Sequence, residues 1–194
     1  MPALSIEGVG FGLEDKAAAK EQFMRITQEH NLKHTFSFDE VWDLSIRQRY
    51  RENVVDFEAK MLEQPEVLTG DAITEVNPLK HSFADGCYIR EIFNPAGELL
   101  VTKIHKIAHP YFLLSGSMSI MTEAGPKRIQ APHHGITPAG TKRIIYTHED
   151  CIFVTVHVTN ETDLIKIEDE VIAKSFDEID ENEIQILKRK LCRG

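Results

Sequence analysis

Nine histidines are the residues of this chain best suited to chemistry, because neutral imidazole is the commonest protein ligand for a metal ion. His105 and His109 are separated by three residues, where a strand-like segment runs into Pro110. His157 lies in a second such segment, and His133 and His134 sit in a loop between Pro132 and Gly135. Taken singly, each also fits a polar surface residue or a hydrogen-bonded core histidine. No nucleophile competes with them. The chain has no G-x-S-x-G elbow, no P-loop and no dinucleotide fingerprint. Cys87 and Cys151 fall in strand-like segments, where cysteine more often packs than reacts.

Positioning such residues requires a scaffold, and the pattern predicts one rich in strands. The segments 87–93, 99–107, 112–121, 143–147 and 152–159 are short and rich in Ile, Val, Tyr, Phe and Thr. Turn-forming runs separate them: Asn94-Pro95-Ala96-Gly97, Glu123-Ala124-Gly125-Pro126, Pro138-Ala139-Gly140 and His148-Glu149-Asp150. Many short strands at regular spacing imply a sandwich or barrel. Residues 1–85 read as a helical extension. Within it Phe38, Val41, Trp42, Ile46, Tyr50, Val54, Phe57 and Met61 recur in steps of three and four, after Ser37 and Glu40 at capping-box spacing. That stripe predicts a helix packed on the barrel or on another subunit. Residues 160–194 read as a charged helical segment, with acids from Asp177 to Glu183 and bases from Lys188 to Lys190.

Bulk properties narrow the function classes. The chain has 194 residues, of which 42% are apolar, enough for a sizeable core. A formal net charge of −9 argues against general nucleic-acid binding, which needs a basic surface. No apolar run is long enough to span a membrane, and no secretory leader is visible. Three scattered cysteines (Cys87, Cys151 and Cys192) are the pattern of a reduced compartment, so a cytoplasmic location is expected.

Residues 86–159 resemble the cupin superfamily. Cupins carry the motifs G-x5-H-x-H-x3-4-E-x6-G and G-x5-P-x-G-x2-H-x3-N, whose histidines and glutamate hold a metal inside a double-stranded antiparallel β-barrel. Here Gly97 opens the first motif and Gly116 closes it. Lys103 stands at the first His position, His105 at the second and His109 at the Glu position. In the second motif Pro132 takes the leading Gly position, Pro138-Ala139-Gly140 matches P-x-G, Arg143 replaces the last His and Thr147 the Asn. The turn framework fits and the ligand set does not, since an always-protonated arginine cannot ligate a metal. The phrases Arg90-Glu91-Ile92-Phe93-Asn94-Pro95-Ala96-Gly97, Lys103-Ile104-His105-Lys106, Pro138-Ala139-Gly140-Thr141-Lys142-Arg143 and Thr155-Val156-His157-Val158-Thr159 are also similar to small cupin-like proteins of tailed bacteriophages and prophages.

The resemblance implies a cupin-type barrel with a helical extension before it and a helical segment after. If Lys103 and His105 hold the H-x-H positions, strand alternation turns both inward with Val101 and Ile107, and Arg143 meets them from another strand. The apolar set Ile152, Val154, Val156 and Val158 is expected to face the core, which sets His157 outward unless a bulge intervenes. Three readings follow. His105 and His109 hold one divalent metal (zinc, iron, nickel or manganese) with a third ligand from His157, His133, His134 or water, Glu91 being a conceivable carboxylate. Alternatively, Lys103 and Arg143 replace the metal and bind a small anionic ligand. In the third, the barrel is a structural or assembly module. Metal-dependent catalysis ranks behind these. The expected partners are further copies of the chain and, for a phage-encoded protein, phage structural proteins, in a host cytoplasm or a virion.

Overall fold

The computed structural model describes residues 16–29, 38–123 and 125–179. Helices α1 (Lys16–Glu29), α2 (Phe38–Leu62) and α3 (Asp71–Val76) precede the strands. Ten strands follow: β1 (Leu79–Ala84), β2 (Cys87–Asn94), β3 (Leu99–Val101), β4 (Ile104–His105), β5 (His109–Ser115), β6 (Ser117–Thr122), β7 (Gly125–Gln130), β8 (His133–Thr137), β9 (Ile144–Thr147) and β10 (Cys151–Val158). Helix α4 (Leu164–Val171) and strand β11 (Ile172–Ala173) come last. The strands form a five-stranded sheet ordered β1-β2-β10-β5-β8 and a four-stranded sheet ordered β3-β9-β6-β7, all pairs antiparallel. The two sheets enclose a common interior. This is the mainly β barrel of two antiparallel sheets that was expected, with helices before and after it.

The alternation of side chains explains the layers. On the four-stranded sheet Leu100, Met118, Ile120, Ile129 and Ile145 turn inward, where they pack with Tyr111, Leu113 and Cys151 of the other sheet. Leu99, Val101, Met121 and Ile144 turn outward and are covered by Tyr50, Val54 and Phe57 of α2. The part of the stripe from Tyr50 to Phe57 therefore packs on the barrel, and Val54 is fully buried. The Tyr50 hydroxyl donates to the carbonyls of Met121 (2.8 Å) or Lys142 (3.0 Å), and Lys142 Nζ lies 2.8 Å from Glu58 Oε1. These contacts fasten α2 to the segment leading into β9. The capping box depends on Ser37, which lies outside the described residues.

Tight turns hold the strand ends. Gly116, between β5 and β6, has φ +79°, and a Cβ there would stand 2.3 Å from the Asp150 carbonyl oxygen. A side chain is excluded on both counts.

Several boundaries differ from expectation: the segment 112–121, read as one strand, is β5 and β6 turning at Gly116, and the loop read around His133 and His134 is strand β8. The five-stranded sheet starts at Leu79, within the stretch read as helical, because β1 pairs with β2 from Leu79↔Ile92 to Ala84↔Cys87. The segment 99–107 is two strands, not one. Thr102 leaves the ladder, its N–H donating to the Arg143 carbonyl, and β4 restarts on β11. The stretch after residue 160 contains that short strand as well as helix, and the charged segment from residue 180 on lies outside the described residues.

Candidate metal centre

His105, His109 and His157 meet inside one end of the barrel. Each offers one ring nitrogen, and these three atoms all lie within 4.8 Å of one another. Ring centroids are 4.1 Å apart for His105–His109, 4.5 Å for His109–His157 and 5.4 Å for His105–His157. Three elements supply them: β4 ends on His105, β5 begins on His109, and His157 lies near the end of β10. His109 and His157 are buried and His105 is half-buried.

The surroundings orient each ring. His109 Nδ1 lies 3.3 Å from the Ile107 carbonyl oxygen, so a proton there donates to it and leaves the Nε2 lone pair free. His157 Nε2 is 3.2 Å from the Thr155 hydroxyl, and its ring stacks on Tyr88. Tyr88 is held in turn by His81, whose Nδ1 is 2.7 Å from the phenol oxygen. His105 Nδ1 is buried with no hydrogen-bond partner. Such an orphaned nitrogen costs free energy unless something binds it.

Electrostatics keep the rings neutral. Burial pushes His105 down to about 3, with smaller contributions from His109, His157, Arg90 and Arg143. Burial likewise pushes His157 down to about 4, helped by His109 and Arg90, and lowers His109. All three are therefore unprotonated near neutrality, the form that ligates metals.

Two guanidinium groups flank the triad. Arg90 faces inward from β2: it pairs with Thr155, and Tyr88, two residues earlier on the same face, pairs with His157. Arg143, just before β9, lies with its guanidinium carbon 5.4 Å from the centroid of the Tyr111 ring. Tyr111 follows His109 by two residues on the inward face of β5. Opposite it stands Gly135, where a Cβ would come within 2.8–2.9 Å of the Tyr111 ring, so only glycine leaves room for that ring. Burial is the main cause lowering both arginines, although a guanidinium stays charged regardless.

Several expected site residues stand elsewhere. Lys103 does not enter the barrel; it is ion-paired to Glu168 of α4 with its side chain 62% exposed. The break after Val101 destroys the alternation that was to carry Val101, Lys103, His105 and Ile107 inward together. Val101 packs under α2 and Ile107 is exposed. Glu91 is on the opposite face of β2 from Arg90, 3.5 Å from Lys80. His133 Nε2 lies 3.3 Å from the Tyr111 hydroxyl, and His134 stacks on Phe112; neither joins the triad. Cys151 is packed in the core, where burial raises its thiol.

His157 reverses its expected orientation. Cys151, Phe153, Thr155 and His157 face inward, and Val158 is 83% exposed. Hydrophobicity alone could not select the face, because the outer surface is also apolar: Ile152 pairs with Phe93, Val154 with Phe112 and Val156 with Ile89. Arg90 was missed altogether as a site residue. The available signal was a basic residue alternating with Tyr88 and Ile92 on one face of β2, but its meaning depends on a register that places Thr155 and His157 alongside.

No family model matches the sequence, and no curated protein sequence matches it. Solved structures do align with part of this chain. A cupin-2 domain protein from Shewanella frigidimarina shares 10% identity at a TM-score of 0.37, covering 53% of this chain and 92% of that one. A cupin domain from Bordetella pertussis shares 14% at 0.35, covering 43% and 93%. An acetylacetone dioxygenase from Acinetobacter johnsonii shares 17% at 0.37, covering 49% and 74%. These scores carry no argument about chemistry, and the barrel assignment rests on the strand order and register described above.

Proposed function

We propose that this protein binds one divalent metal ion inside its barrel through His105, His109 and His157. The observation that carries the reading is the convergence of three neutral imidazoles from three strands, their ligand atoms within 4.8 Å, one of them a buried nitrogen without a partner. A histidine that only fills a core has its polar atoms satisfied by protein groups. An all-imidazole donor set suits zinc, iron or nickel, whereas manganese favours oxygen donors. Three protein ligands leave coordination positions open, so the bound ion can take water or a small ligand and act as a Lewis acid. The chain's own part is to exclude water with Tyr88, Tyr111 and Leu113, and to fix the rings through Ile107 and Thr155.

Elemental analysis of protein purified without an affinity tag tests the reading. It expects about one equivalent of metal, in line with one three-ligand site, and its loss in His109→Ala. Metal-free protein that also takes up no added zinc, cobalt or nickel would refute it. The surface pairing of Lys103 with Glu168 speaks against its half of the rival lysine–arginine anion site and for a site that keeps Arg143.

A further inference from the structure

The charge at the triad end of the barrel does not balance. Arg90 and Arg143 are both half-buried, and neither has a carboxylate hydrogen-bonded or ion-paired to it among the described residues. Glu168, which acts on Arg90 from a distance, is already ion-paired to Lys103. The three imidazoles bring no negative charge. Adding a divalent cation raises the local excess to two guanidinium charges plus two. Uncompensated charge in a low-dielectric interior is costly, and proteins relieve it with counter-charges.

The geometry shows where a counter-charge fits. Arg90 pairs with Thr155, the next inward-facing pair along from Tyr88–His157, so it faces the triad's end of the barrel from the β2 side. Arg143 rests against Tyr111, one inward position beyond His109, and reaches it from the β9 side. Each presents a planar fork suited to an oxyanion. The backbone of Arg143 is fixed, because its N–H donates to the Thr102 hydroxyl (2.9 Å) and its carbonyl accepts from the Thr102 N–H (2.9 Å). The adjacent Lys142 is tied to α2 through Glu58.

We infer that Arg90 and Arg143 form an oxyanion subsite beside the histidine triad, so that a small carboxylate or similar oxyanion bridges the guanidinium groups and the bound ion. The inference rests on the metal reading for the bridging arrangement, while the two arginines alone define the anion's other half. It makes Arg90 a binding residue and gives Gly135 a role: by leaving room for Tyr111 it sets the surface on which Arg143 lies.

The test uses the full chain loaded with cobalt(II), whose visible spectrum reports ligand exchange at the metal. Acetate is titrated in one arm and sulfate in the other, which separates carboxylates from tetrahedral oxyanions. Wild-type protein should show a saturable spectral change in at least one arm. Arg90→Met and Arg143→Lys should bind cobalt with unchanged stoichiometry but weaken that anion by about ten- to a hundredfold, the loss of one charge-assisted pair. Arg143→Lys keeps the charge and so guards against a variant that fails to fold. Equal titration of wild-type and variants, or no response to either anion, overturns the inference. If the chain takes up no cobalt, the metal reading fails separately. Calorimetric titration of the metal-free chain then decides the subsite: acetate or sulfate binding that weakens in both variants supports it, and its absence rejects it.

Discussion

The two ends of one barrel interior are built on opposite rules. At one end Leu113, Met118, Ile120, Ile129 and Ile145 interdigitate as an ordinary dry core. At the other, β5, β10 and β2 turn His109, His157, Thr155 and Arg90 inward. Strand β5 shows the change within two inward steps, from His109 through Tyr111 to Leu113. A barrel of this size could be filled with aliphatic side chains throughout, at lower desolvation cost. Imidazoles and guanidiniums at the second end are therefore not explained by folding, and point to something bound there.

The sharpest way to break that comparison is to remove one inward residue of β5 from each end. Leu113→Ala should cost about 2–5 kcal/mol in chemical denaturation, the range for a fully buried leucine, and should leave metal stoichiometry intact in whatever remains folded. His109→Ala should do the reverse. Its metal affinity should fall by more than the ~10–100-fold typical of losing an outer-shell partner, while the metal-free protein loses little stability. Equal destabilisation by both substitutions, with metal uptake unaffected, would show that the histidine end is core after all.

Gly135→Ala tests how far the two ends are coupled through Tyr111. The added methyl would collide with the Tyr111 ring. An overpacked site of this kind costs about 1–3 kcal/mol. Because Arg143 lies against that ring, oxyanion binding should weaken as well, and metal uptake should not. A normal melting temperature in this variant would mean that Tyr111 can move aside freely.

How much of this could be read from the chain alone depended on which interactions decide each feature. The turns at 94–97 and 138–140 were legible, because Pro95 and Pro138 restrict the backbone while Gly97 and Gly140 supply positive φ; the turn at Gly116 was not, since 112–121 reads as one strand. So was α2, whose stripe needs only its own periodicity. His105 and His109 were found because their spacing survives from the motif they resemble. Lys103 was misplaced, Arg90 was missed, and His157, although named as a candidate ligand, was expected to face outward, all for a shared reason: which way a strand residue points is set by partner strands. Lys103 is turned out by the break at Thr102, a consequence of the Thr102–Arg143 backbone pairing forty-one residues away in sequence. His157 is turned in although both faces of β10 are apolar enough to be buried.

Acid should distinguish the ends more gently. The triad histidines are held neutral in the folded chain and titrate near 6.5 when unfolded. Below pH 6.5 the unfolded chain takes up protons that the folded chain refuses, so stability present above that pH is lost as pH falls toward 4 and then 3. Each such group contributes at most about 1.4 kcal/mol per pH unit across that interval. Urea midpoints of the metal-free protein measured from pH 7 to pH 5 should fall, and His157→Gln should flatten the slope. Identical slopes would mean that His157 is not held neutral by its surroundings. Metal loading should persist to lower pH than an exposed histidine site would allow, because protons compete poorly for buried rings.

The smallest expected effect concerns Lys103, which stands two residues from a triad ligand and at the first His position of the motif. Its ammonium group is ion-paired to Glu168 on the surface, with both side chains more than half exposed. Solvent screens such a pair, and exposed pairs contribute about 0–1 kcal/mol. Lys103→Ala should therefore shift the denaturation midpoint barely at all and leave metal and oxyanion affinities unchanged. If Lys103→Ala instead abolishes anion binding while Arg90→Met does not, the lysine reaches the interior in solution. The pairing with Glu168 would then be the resting position of a binding residue, and the surface would share in the chemistry assigned to the barrel's polar end.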